Sequence, residues 1–329
     1  MAADQPRTGA RAFWIVEPGR GEIRPEPLPL LSGQNVIVRA LYSGISRGTE
    51  ALVFKGRVPP SELERMRAPF QSGALPAPVK YGYSSVGIVE EGGGDLNGRC
   101  VFVLYPHQTR YVVPREAVHV IPEDVPPERA ILAANLETAI NGLWDARPLV
   151  GDRVAVIGAG TVGCLVAWLA AAIPGCEVEL VDLNPGRAAI ASSLGVRFRT
   201  PDAVQGEADL VVHASGSPEG LNLALRIAGF EATIVEMSWY GDTLVTVPLG
   251  EAFHARRLAL RSSQVGAVAP SQRARWDTRR RMQLALGLLA SPALDALITG
   301  DTPFETLPTV MADLADAPGG ALCHRITYS

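Results

Sequence analysis

A glycine-spaced turn wedged between two apolar segments narrows the fold more than any other stretch of this chain. Residues 152–157 read as a buried strand, Gly158-Ala159-Gly160-Thr161-Val162-Gly163 follows at once, and 161–172 has the pattern of a helix. Gly158 permits a tight turn, Gly160 lets backbone approach a pyrophosphate, and Gly163 lets helix and strand pack closely. The helix N-terminus then offers unpaired N–H groups to phosphate oxygens. In this setting G-x-G-x-x-G is a dinucleotide signature, and Gly158, Gly160, Thr161, Val162 and Gly163 are its contact candidates. The alternative is a structural βα turn with no nucleotide. Residues 154–173 are uncharged over a length that nominally spans a bilayer, but three glycines in its first ten residues suit strand–turn–helix better.

The same alternation continues downstream. Strands are expected at 177–182, 210–214 and 233–237, with helices at 187–194 and 221–228 between them. This implies an α/β fold, a Rossmann-type doubly wound parallel sheet with helices on both faces. Asp182 closes the second strand, 19 residues beyond Gly163. A carboxylate there accepts from both hydroxyls of an adenosine ribose and repels a 2′-phosphate, favouring NAD(H) over NADP(H). Arg187 stacks on the adenine, turns to a 2′-phosphate, or is a solvated first-turn residue. Ser215 and Gly216 in the string His213-Ala214-Ser215-Gly216-Ser217, and Ser238 and Trp239 beside Tyr240, end two strands on the carboxyl edge, where such sheets bind nucleotides. They are candidates for the ribose and nicotinamide; alternatively Trp239 and Tyr240 cap the core.

The first 120 residues have a different texture. Residues 35–42 alternate apolar and polar at period two, and 83–90, 100–104, 111–114 and 117–121 continue as short strands. A proline-rich wrap at 56–78 carries a short charged helix at 61–67. Helices are expected at 128–146 and 276–289, with a β/α tail to Ser329. Of the 329 residues 47% are hydrophobic and the formal charge is −4, too slight an excess to draw the whole protein to nucleic acid or an anionic membrane. The arginines at 273, 275, 279, 280 and 281 read as a solvated helix face. Cys100, Cys164, Cys176 and Cys323 show no C-x-x-C spacing, which argues against a disulfide framework and a cysteine zinc cluster and fits a reducing, cytoplasmic setting. The first ten residues lack the apolar core of a signal peptide.

The order of β-rich portion, G-x-G-x-x-G portion and short return resembles the medium-chain dehydrogenase/reductase superfamily. The carriers are Tyr42-Ser43-Gly44-Ile45-Ser46-Arg47-Gly48-Thr49-Glu50, Gly82-Tyr83-Ser84-Ser85-Val86-Gly87-Ile88-Val89-Glu90 and residues 154–163. The resemblance implies a GroES-like catalytic domain from 1–146 and 269–329, a Rossmann domain at 147–268, and a homodimer. It also marks departures. Zinc-dependent members carry a cysteine where this chain has Ser46, a Gly-His-Glu where it has Gly82-Tyr83-Ser84, and a third ligand near Ala134 or Asn135. Serine, tyrosine, alanine and asparagine do not replace thiolate and imidazole ligands of zinc, so no metal is expected. The strings look most like the zinc-free branch that includes bacteriochlorophyllide a 3-hydroxyethyl dehydrogenase.

Without a Lewis acid, hydride transfer to or from a carbonyl carbon needs a side chain to handle the oxygen's proton. Tyr83, at the vanished histidine position, is the leading candidate, with Ser46 and Thr49 as a hydroxyl relay toward Glu50. His107 follows Tyr105-Pro106, a stretch that lines the substrate pocket in relatives, and suits general-base work. Tyr105 and Tyr240 are the pocket candidates, and Arg47 by resemblance reaches the pyrophosphate. The expected function is a zinc-independent oxidoreductase acting on NAD(H) and a secondary alcohol or ketone. The alternatives are an NADPH-dependent enoyl or quinone reductase and a non-catalytic NAD(H)-binding protein.

Overall fold

Residues 7–317 and 319–329 are described by a computed structural model. They fall into two compact units, one made of the described residues up to 134 with 286–291 and 298–329, the other of 135–285 with 292–297. The helix Ala133–Ala146 contributes its first two residues to the first unit and the rest to the second. Buried Arg281 shows why 135–146 and 265–285 go together. Its guanidinium donates to the Glu137 carboxylate at 3.0 Å, to Asn141 at 2.5 Å and to the Val265 carbonyl at 2.6 Å. Arg281 is 1% exposed, which corrects its place in the solvated basic face; Arg273, Arg275, Arg279 and Arg280 are exposed as expected.

In the second unit, six strands pair in parallel in the spatial order Arg197–Arg199, Glu177–Val181, Arg153–Ile157, Ala208–His213, Ala228–Glu236, Ala259–Ser262. The central strands are buried along most of their length, hence their unbroken Val/Ile/Leu runs. The helix Thr161–Ala171 and the helix Pro218–Ile227 connect successive strands. The latter is N-capped by Ser217, whose Oγ accepts from the Gly220 N–H at 3.2 Å, with Pro218 at its first position. Its apolar residues Leu221, Ala224, Leu225 and Ile227 pack with Val211 and Ile234 of the sheet.

The first unit is β-rich. A four-stranded sheet has the order Arg20–Leu28, Arg7–Glu17, Val79–Lys80, Ser72–Gly73, and a seven-stranded sheet is centred on Asn35–Ser46. That central strand pairs antiparallel with Ser85–Glu91, Arg110–Pro114 and Cys323–Thr327. The helix expected at 61–67 is a single 3-10 turn at Pro60–Glu62 followed by turns, because the segment has no apolar stripe to bury. The four cysteines are free thiols. Among the described residues no helix is long and apolar enough to cross a membrane.

Candidate active site

Five of the sequence candidates in the first unit lie together, where the strand Asn35–Ser46 runs directly into the helix Arg47–Phe54. Glu50, in the first turn of that helix, folds back so that its Oε1 accepts the Ser46 N–H at 2.7 Å, as in a capping box. Its Oε2 lies 2.9 Å from His107 Nε2, and the two side chains are 3% and 1% exposed. An ionised carboxylate only accepts, so Nε2 carries the proton and Nδ1 accepts. Ser43 Oγ, 2.7 Å from Nδ1, donates to it and in turn receives the Tyr328 hydroxyl at 2.8 Å. Both ring nitrogens of His107 are thus engaged inside the unit. Ser43 and Tyr328 were not among the sequence candidates; nothing in the local pattern marks a C-terminal tyrosine as the end of this chain.

Tyr83 is bonded through its phenol oxygen to the Ser46 and Thr49 side chains. Burial first, and then the Glu50 charge, push this phenol far above its ordinary range, while the two hydroxyls offset the effect only in part. Tyr83 is therefore a proton holder at neutral pH. Its ring meets Tyr81 edge-on, with centroids 6.2 Å apart. Burial raises the Cys323 thiol to about 12, so it is inert there. Tyr105 stands apart from this group: it stacks on Tyr111 at 3.8 Å between centroids and packs with Val36, Val38 and Val103. Lys80 turns to Glu26 and Gln108, at 2.7 Å each, and not to Tyr83. Arg47 begins the helix and is half-buried.

The side chains gathered here do not have the chemistry of a zinc ligand set. Ser46 and Tyr83 offer neutral hydroxyls already bonded to each other, and both nitrogens of His107 are taken. Zinc sites use thiolate, imidazole and carboxylate. Among the described residues, no group of three or more His, Cys, Asp or Glu side chains is placed to hold a metal ion.

In the second unit the three glycines of the turn meet three different steric surroundings. Gly158 takes φ +105°, and a Cβ there would sit 2.6 Å from the Ser215 backbone. A Cβ on Gly163 would lie 1.8 Å from the Gly158 carbonyl oxygen, whereas one on Gly160 would meet nothing within 4 Å. The turn is packed behind and open in front. Thr161 and Val162 follow in the first helical turn, half-buried. Asp182 accepts the Ala159 N–H at 2.7 Å and the Asn184 N–H at 2.8 Å, one on each oxygen, so its carboxylate is held at the end of the second strand. Arg187 is 6% exposed and faces inward, close enough to Cys164 to affect its thiol, so it is not a solvated residue.

The carboxyl ends of the next two strands carry a second imidazole–carboxylate pair. His213 and Glu236 are register partners, with Nδ1 2.7 Å from Oε2. Ser215 Oγ lies 2.6 Å from His213 Nε2. Glu236 also receives the Ser238 N–H at 2.7 Å and the Tyr240 hydroxyl at 3.0 Å. Burial pushes the Glu236 carboxyl up, but the His213 and Ser238 bonds outweigh it and hold it below its ordinary value. Gly216 donates its N–H to Ser238 Oγ at 3.0 Å, and Trp239 is half-buried beside them. Glu236 was not singled out from the sequence; a charged residue closing a buried strand beside one that closes on histidine was the available signal.

No family model matches the chain. L-threonine 3-dehydrogenase of Chelativorans sp. is 34% identical over 125 residues, 38% of this chain, and the match spans only 36% of that protein. Galactitol 1-phosphate 5-dehydrogenase of Escherichia coli K12 is 24% identical over 217 residues, 62% of each chain. L-idonate 5-dehydrogenase of Escherichia coli superposes with a TM-score of 0.78 over 98% of this chain and 100% of its own, at 15% identity. The chain has the medium-chain, zinc-type alcohol dehydrogenase fold. That fold comprises an antiparallel β-rich unit and a six-stranded parallel Rossmann sheet, as described above.

Proposed function

We propose that this chain is an oxidoreductase that moves hydride between NAD(H) and a secondary alcohol or ketone without zinc, as in the zinc-free branch its sequence resembles. The observation that carries the reading is the Gly158–Gly163 turn, closed behind and open at Gly160, with Asp182 fixed by two backbone N–H groups. A nicotinamide nucleotide bound there would supply the hydride. Asp182 would accept the adenosine ribose hydroxyls and disfavour a 2′-phosphate. Arg47, Thr161, Val162, Ser215, Gly216, Ser238 and Trp239 complete the assigned cofactor contacts.

The first unit handles the proton. Tyr83, kept neutral by burial and Glu50, donates to the substrate oxygen, and Ser46 and Thr49 orient the phenol. Glu50 holds the Ser46 backbone, and His107 fixes Glu50; within this reading both are positioning residues. The edge strand Ala259–Ser262, exposed at all four residues, offers an unpaired row of backbone groups on which a second copy would pair to give a homodimer.

The test is a screen of secondary alcohols and ketones against NAD(H) and NADP(H), with metal content measured on the same sample. Turnover with NAD(H) and no stoichiometric zinc is expected. Activity that depends on added zinc, or a strict NADPH preference, overturns the reading.

A further inference from the structure

The chain leaves the edge strand Ala259–Ser262 at its carboxyl end and runs through residues 263–277 as neither strand nor helix before the helix Thr278–Leu288 begins. A segment without regular structure has no ladder to satisfy its backbone groups. Here one face of the helix Ala133–Ala146 does so. Glu137, Asn141 and Asp145 recur every fourth residue, so they share that face, and all three are buried. Asn141 Oδ1 accepts the Ala269 N–H at 3.0 Å, and Asp145 accepts the Ser263 hydroxyl at 2.7 Å. Arg281, held by Glu137, spans the gap: its fork donates to Asn141 and to the Val265 carbonyl. The start of the segment is fixed independently, since the Ser263 N–H donates to the Glu236 carbonyl at 2.9 Å. Met237 lies against the same helix at Gly142, where a Cβ would come within 2.4 Å of Met237 Cε. Gln264, Gly266 and Ala267 remain exposed.

A buried arginine–glutamate pair adds little net stability over apolar residues of the same volume, so stability alone does not account for this one. What the planar fork supplies instead is a fixed place for the chain around Val265. We propose that Arg281, with Glu137, Asn141 and Asp145, positions residues 263–267 beside the carboxyl ends of the last two strands, and that the place of this segment sets how tightly a nicotinamide nucleotide binds. This rests on the nucleotide reading given above: open α/β sheets bind ligands outside the carboxyl ends of their strands, and Glu236 and Ser262, register partners, end these two. A segment held in advance loses no freedom on binding, whereas a loosened one must be ordered by the ligand at a cost in affinity. The four side chains act through the segment rather than on the ligand, and so are positioning residues.

The experiment is hydrogen–deuterium exchange of the full chain with and without NADH, together with thermal melts and NADH titrations, for wild type, S263A and R281M/E137L. In wild type, NADH should slow exchange at 158–163 and at 263–267 alike. S263A loses one bond to Asp145 and should melt near wild type, yet exchange faster at 263–267 and bind NADH more weakly. R281M/E137L removes both charges together, so its melting temperature should stay close to wild type, while its dissociation constant for NADH should rise about tenfold. A purely structural role predicts instead a double variant that folds and binds as wild type does. That result overturns the proposal, and so does S263A with unchanged exchange and affinity, or NADH protection at 158–163 with none at 263–267. If the double variant does not fold, S263A and the wild-type protection decide by the same criteria. Failure of the wild-type protein to bind NADH would instead overturn the nucleotide reading itself.

Discussion

Two alanine substitutions one helical turn apart separate the packing role of the glycine turn from its binding role. Gly160 has φ −74° and ψ 176°, backbone that alanine adopts freely, and its added methyl would meet nothing within 4 Å. Loss of glycine at the N-cap then costs under about 1 kcal/mol. Gly163 is different, since its methyl would overlap the Gly158 carbonyl oxygen at 1.8 Å, and a backbone atom cannot rotate away. Relieving that overlap costs about 1–3 kcal/mol by overpacking. At about 2–4 °C per kcal/mol, G163A should melt roughly 2–12 °C lower. G160A should melt near wild type yet, under the proposed function, bind NADH more weakly, because its methyl would occupy the space proposed for a phosphate at the helix N–H groups. One charge-assisted bond is worth about 1.5–3 kcal/mol, so the dissociation constant should rise roughly 10- to 150-fold. Thermal melts and calorimetric titration with NADH read both quantities. A folded G160A that binds as wild type does, or a G163A with unchanged melting temperature, would refute the argument.

Under the proposed function, substitution Tyr83→Phe should lower turnover by about 10²–10⁴ with NADH affinity unchanged, since it would remove the proposed proton donor; steady-state rates against binding titrations check this. Alkaline conditions should destabilise the fold: burial raises the phenols of Tyr81, Tyr83, Tyr105, Tyr111 and Tyr328. Unfolded tyrosines ionise near pH 10 while the folded ones stay protonated, so the unfolded state binds fewer protons and stability falls as pH rises above about 10. Denaturant titrations at pH 8 and pH 10.5 should show that drop. Replacing Arg281 with methionine should cost about 3–5 kcal/mol by leaving Glu137 charged and unpaired, and adding Glu137→Leu should recover much of the loss in chemical denaturation.

The nucleotide sheet was legible because its information is local. Parallel strands buried on both faces are continuous apolar runs, and glycine positions 158, 160 and 163 each answer a distinct steric demand. The opening hairpin, Arg7–Glu17 with Arg20–Leu28, was not individually legible: its second strand alternates weakly, with arginines and glutamates on an exposed face. Helix boundaries moved for local reasons too, as at 60–67. In the candidate site, Ser46, Thr49 and Glu50 were found as neighbours in one motif. The partners Ser43 and Tyr328 are joined only through the pairing of Asn35–Ser46 with Cys323–Thr327, a contact across nearly the whole chain. Arg281 shows the opposite failure, a residue in a basic run that looks solvated but is drawn inward by Glu137 and Asn141.

The two units solve one electrostatic problem in the same way, with different outcomes. Each places an imidazole between a carboxylate and a serine hydroxyl, with one ring nitrogen facing each. In the first unit the hydrogen-bonded series runs from Glu50, which holds the Ser46 N–H, through His107 and buried Ser43 to half-buried Tyr328, and it braces Ser46 from behind. In the second unit it ends on exposed Ser215. Under the proposed function the proton that the first unit exchanges with the substrate belongs to Tyr83. A phenol raised by burial and by Glu50 is an acid at neutral pH and a base only under alkaline conditions. Ketone reduction, in which the substrate oxygen gains a proton, matches that resting state. Alcohol oxidation requires the phenolate and should accelerate as pH rises, so the pH dependence of the two directions should diverge through Tyr83.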